Sequence, residues 1–98
     1  MGLTIVLENE NGDAIQTLLS ELNYDEWENL DLDNFTLLKY IDFYGDTTFN
    51  TLQLQDLIAD FEQLKPKVED QTGIIQQIID LARRSQNEGH TYIKFYGD

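Results

Sequence analysis

A single proline, Pro66, separates two stretches of helical hydrophobic period, and this limits what the second half of the chain can fold into. On its N-terminal side Leu54, Leu57, Ile58 and Phe61 recur at i, i+3, i+4 and i+7, one face of a helix. Asn50 followed by Gln53 has the form of a capping box ahead of it. The proline ring lacks an N–H and clashes with the preceding turn, so this helix should end near Leu64. Beyond the proline, Ile75, Ile78, Ile79 and Ala82 form a second helical face. Thr72 is its expected N-cap, and Arg83 and Arg84 its last turn, where cations suit the negative dipole end. Gly89 is its stop. Helices with one apolar face each require another layer to bury it.

That layer is sought in three short apolar runs. Leu3–Glu8 is β-branched and apolar, Thr36–Phe43 is a second strand by composition, and Thr91–Tyr96 a third. Between the first two, Ile15, Leu18, Leu19 and Leu22 again show helical spacing, and Asp13 with Gln16 resembles a capping box. A helix is expected there, in competition with a β-hairpin turning at Asn11-Gly12. Tyr24–Phe35 has no clear period, and a short helical turn fits Glu26–Leu30. Tyr44–Thr48 carries turn chemistry. The expected order is β-α-(short α)-β-α-α-β. This is an α+β fold, a small sheet of about three strands packed against helices, in one domain over residues 1–98.

Charge narrows the function. Nineteen Asp and Glu against six Lys and Arg leave a net charge of −13. Phosphate backbones and anionic lipid surfaces are bound through cations, so direct nucleic-acid or membrane partners are not expected. No apolar run approaches the roughly 20 residues of a membrane helix, and no basic start with an apolar stretch marks a signal peptide. The absence of Cys fits a reducing cytoplasm.

Catalytic and cofactor patterns are also missing from the sequence. There is no G-x-S-x-G, no G-x-G-x-x-G and no Walker sequence, and His90 is the one histidine. A calcium loop read from Asp31 puts Phe35 and Thr36 where a ligand and glycine are required, and one read from Glu8 ends on Leu19. Neither fits. The expectation is a protein without cofactor or metal, and not an enzyme.

The charge is unevenly placed. The first 38 residues contain no Lys or Arg and nine acids, which supply −9 of the −13. Six of the nine fall in Glu21–Asp33, interleaved with Tyr24 and Trp27. Aromatic anchors among carboxylates are what an interface against a basic protein uses. The candidate partner-binding set is therefore Tyr24, Asp25, Glu26, Trp27, Glu28, Asp31 and Asp33. The competing reading puts Trp27 and the leucines in the core beneath a solvated acidic loop.

A second feature is an echo. Tyr40-Ile41-Asp42-Phe43-Tyr44-Gly45-Asp46 recurs as Tyr92-Ile93-Lys94-Phe95-Tyr96-Gly97-Asp98, with six of seven positions the same. It is too short for a repeat protein. Tyr44, Asp46, His90 and Asp98 form a secondary candidate set for a small enzyme or ligand site, provided the two Tyr-Gly-Asp ends converge with His90. A third possibility is an acidic domain with no dedicated interface.

The stretch Asp42-Phe43-Tyr44-Gly45-Asp46-Thr47 with Phe49-Asn50, and the closing His90-x-Tyr92-Ile93-x-Phe95-Tyr96-Gly97-Asp98, resemble a family of small bacterial proteins of unassigned activity. In element order, size, acidity and the final helix-Glu88-Gly89-strand, the chain is also similar to barstar-like inhibitors, acidic inhibitors of a basic ribonuclease. That resemblance implies an immunity- or inhibitor-type protein that masks a basic toxin, nuclease or nucleic-acid-binding partner. Its corresponding surface would be Asp25–Asp33.

Overall fold

In the computed structural model the described residues are 2–25, 27 and 30–97. The first strand, β1 (Gly2–Asn9), turns back at Asn11-Gly12 into β2 (Ala14–Thr17). The Asn9 side-chain oxygen accepts the N–H groups of Asn11 and Asp13 at 2.9 and 3.0 Å, and Gly12 takes φ 85°. This local locking decides the competition for the hairpin, and the helix expected from Asp13 does not form. Its apolar residues divide instead: Leu18 and Leu22 are buried, whereas Ile15 and Leu19 are exposed. A two-residue strand, β3 (Leu22–Asn23), continues along β1. Val6 pairs with Thr17 but Leu3 with Leu22, so three steps along β1 correspond to five on the returning chain. The excess bulges out at Leu19 and Ser20, both exposed.

The strand expected over Thr36–Phe43 is also corrected. Asp60, only 4% exposed, receives the backbone N–H groups of Thr36, Leu37 and Leu38 at 3.1, 2.6 and 3.2 Å. Consecutive N–H groups of a strand point to opposite sides, so three converging on one carboxylate require a turn. Leu38–Tyr40 is accordingly a 3₁₀ turn. The strand in this region comes later, as β4 (Asp46–Phe49), overlapping the end of the expected Tyr44–Thr48 turn.

The helical half follows the sequence closely. Asn50 and Gln53 form a complete capping box on a 3₁₀ turn that leads into α1 (Leu54–Leu64), which stops before Pro66. The second helix, α2 (Thr72–Glu88), ends at Gly89 with φ 66°. Two details differ from expectation. Thr72 is the first helical residue, its hydroxyl donating to the Glu69 carbonyl, and does not cap through its side chain. Arg83 and Arg84 lie a turn inside the helix end and pair with Glu62 and Glu88. Strand β5 (Thr91–Tyr96) closes the chain.

The result is α+β as expected, but with five antiparallel strands in place of three, in the order β2-β1-β5-β4 with β3 also on β1. Leu3, Ile5 and Leu7 alternate with Thr4, Val6 and Glu8 along β1, and Ile93 and Phe95 with Tyr92, Lys94 and Tyr96 along β5. The first set of each strand belongs to one core with Phe49 and the inner faces of α1 and α2. Phe95 sits at its centre, stacked on Phe61 at 6.0 Å and edge-on to Phe49 at 5.7 Å. Val6, on the opposite face, is not part of that core, so the helices cover one face of the sheet only.

Candidate functional site

The acidic segment leaves the sheet from a fixed point. The Asn23 backbone is clamped by the Gln71 amide, which accepts its N–H at 2.8 Å and donates to its carbonyl. From there Trp27 N–H bonds to the Tyr24 carbonyl and Leu30 N–H to that of Trp27, both at 3.0 Å. Asp31 then opens a 3₁₀ turn over Leu32–Asn34, accepting the Asp33 N–H and the Asn34 amide.

Tyr24 and Trp27 are 8% and 2% exposed, so their rings are not surface anchors. They hold Phe43 instead. Tyr24 stacks on it at 4.2 Å with the planes 5° apart, and Trp27 meets it edge-on at 5.5 Å. Asp25, Asp31 and Asp33 are exposed, whereas Glu26 and Glu28 lie outside the described residues. Glu21, Asp31 and Asp33 form no ion pair among the described residues, while the ion pairs of the fold engage Glu10, Asp46, Glu62 and Glu88. Lys67 shares a small cavity of about 150 Å³ with Asp31, Asn34 and Phe35.

Phe43 ties this segment to the first copy of the seven-residue echo. Beside it, Tyr40 and Tyr44 are 66% and 75% exposed. Asp42 holds the turn, its carboxylate accepting the Tyr44 N–H at 2.9 Å while its own N–H donates to the Thr47 hydroxyl. Tyr40 and Asp42 were not among the candidates, although their place in the echo is a signal that could have found them.

The two echo ends meet at their described residues. β4 starts where the antiparallel β5 ends, Asp46 pairs with Tyr96, and Gly97 N–H donates to the Gly45 carbonyl at 2.7 Å. Asp98 lies outside the described residues. His90 is not at that end. It precedes β5, with φ 51°, and is exposed beside Glu10 with 3.7 Å between Nδ1 and Oε2. The length of β5 separates it from Asp46, so the constellation of Asp46 with His90 is not assembled.

The open sheet face carries its own polar row. Tyr96 O–H donates to Glu8, Lys94 lies 4.8 Å from the Tyr96 ring centre, and Asp46 is 4.0 Å from Lys94. The Tyr96 phenol is held above its ordinary pKa, first by donating to Glu8 and then by desolvation. Lys94 is raised mainly by its contact with Tyr96.

Among the described residues no three His, Asp or Glu side chains gather as a metal site, and no helix is long and apolar enough to cross a membrane. No family model, curated protein or solved structure matches the chain.

Proposed function

We propose that this chain is a non-enzymatic protein-binding module of the immunity or inhibitor type, which masks a basic protein partner such as a toxin or nuclease. The observation that carries this reading is the Phe43 ring held between Tyr24 and Trp27. It fastens a turn bearing two exposed tyrosines to a segment whose exposed acids Asp31 and Asp33 form no ion pair among the described residues. Tyr40 and Tyr44 take the anchoring role that the sequence assigned to Tyr24 and Trp27. Carboxylates around such anchors steer a basic partner and suppress wrong ones.

Affinity capture from the native host, with the captured protein then purified for binding kinetics, tests the proposal. Association should slow as salt rises, and changing Asp25, Glu26, Glu28, Asp31 and Asp33 to their amides should abolish capture with the fold retained. Tyr44→Ala should speed dissociation. A partner bound equally by the amide variant would refute the acidic interface.

A further inference from the structure

The hairpin that opens the chain turns on Asn11-Gly12, the one Asn-Gly pair in the sequence. Both residues are exposed. Asparagine amides are among the thermally labile groups of a protein, and what surrounds each one decides whether it reacts. The side chains of Asn9, Asn23, Asn34 and Asn50 are each held in a hydrogen bond. That of Asn11 forms none among the described residues. Neither does that of Asn87, but it lies inside α2 ahead of Glu88. Gly12 takes φ 85°, and a Cβ built there would meet nothing within 4 Å, so no other part of the fold crowds this residue.

Asn9 is what keeps the pair still. Its side-chain oxygen accepts the N–H groups of Asn11 and Asp13, and its carbonyl accepts the Gly12 N–H at 3.0 Å. Its own N–H donates to the Asp13 carbonyl at 2.9 Å. While these bonds stand, the Gly12 nitrogen is committed to Asn9. They lie exposed at the tip of a hairpin, where local opening costs far less than unfolding the core.

We propose that Asn11 is a site of spontaneous deamidation, gated by opening of the Asn9 turn. In the open turn the Gly12 nitrogen attacks Cγ of Asn11. The new N–Cγ bond closes a five-membered imide, the Cγ–Nδ2 bond breaks, and Nδ2 leaves as ammonia with the proton lost by Gly12. Glycine suits this step because it has no Cβ to obstruct the closing ring and tolerates the backbone excursion. Water from the solvent then adds to one imide carbonyl. Opening at Cγ leaves an aspartyl residue in an unaltered backbone. Opening at the main-chain carbonyl routes the chain through the side chain and inserts one extra carbon. Either product adds a negative charge beside Glu10 and Asp13. The extra carbon also displaces the Gly12 N–H from Asn9 and loosens β2 on β1. Neither step involves the acidic surface proposed above.

Incubation of the full chain in mildly alkaline buffer, followed by intact mass, ion exchange and peptide mapping, tests this. The expected result is the mass gain of exchanging an NH2 for an OH, confined to the peptide containing Asn11, in a more acidic species that resolves into two products of equal mass. Asn11→Gln, which would need a larger ring, should abolish it. Asn9→Ala should speed conversion at least about fivefold, the fold-change that one net hydrogen bond commands, whereas Asn9→Asp keeps the acceptor and should not. Should Asn9→Ala not fold, the unaltered chain unfolded in urea reads the same protection and should convert faster than the folded chain. Absence of the mass gain at Asn11, or its persistence in Asn11→Gln, overturns the proposal. A rate indifferent to both Asn9→Ala and unfolding overturns the gating by Asn9.

Discussion

Gly97 rests directly against the carbonyl oxygen of Phe43: a Cβ built on the glycine would fall well inside van der Waals contact with that oxygen and its carbon. Neither atom belongs to a side chain that could swing aside. The same glycine donates its N–H to Gly45 at 2.7 Å, so one residue at the end of β5 supports the whole turn that carries Tyr44.

Gly97→Ala should therefore destabilise the fold by about 1–3 kcal/mol, the range for forced overpacking. Gly73→Ala, where a Cβ meets nothing within 4 Å, serves as the control and should not be destabilising. Urea denaturation of both variants measures the difference.

Phe43 joins the turn to the acidic segment through Tyr24 and Trp27. Its ring is partly buried, so Phe43→Ala should cost about 2 kcal/mol, below the range for fully buried aromatics. Tryptophan emission should shift to the red as the one Trp gains water. Phe43→Leu, which restores apolar bulk without the stacked ring, should recover part of the stability.

Asp60 accepts three consecutive backbone N–H groups from a segment 22 to 24 residues away in sequence. Asp60→Ala leaves those donors without an acceptor and should cost about 3 kcal/mol, the upper range for bonds to a charged group. Hydrogen exchange at Thr36, Leu37 and Leu38 should rise more than exchange in β1 and β5.

The Tyr96–Glu8 bond gives a pH signature. Tyr96 is raised above the usual tyrosine value near about 10, because its neutral hydroxyl donates to the Glu8 carboxylate. A group raised on folding contributes stability below its unfolded pKa and loses that contribution as pH rises through its folded one. Stability should thus fall in alkaline solution from about pH 10 upward. Glu8→Gln should bring the Tyr96 ionisation down towards the free value, followed by the ring resonances in NMR titration.

The features the sequence determined are those written within a few residues. The Asn50–Gln53 box, the stop ahead of Pro66, the break at Gly89 and the strands read at Leu3–Glu8 and Thr91–Tyr96 all formed where their residues implied. The cation-free first 38 residues were equally legible, since charge needs no folding to be counted. What required the tertiary structure was every choice settled by distant groups. Thr36–Phe43 reads as a strand until Asp60 on α1 gathers three of its N–H groups into a turn. The aromatics of the acidic segment read either as surface anchors or, for Trp27, as core, and the packing on Phe43 decides for burial and leaves Tyr40 and Tyr44 outside. The seven-residue echo states the limit most clearly. Tyr92–Tyr96 lies in a strand between β1 and β4, whereas Tyr40–Tyr44, with the same residues at four of five positions, is a turn. The physical reason is that backbone donors and apolar rings take whatever partners the rest of the chain brings to them. For these residues those partners lie far away in sequence.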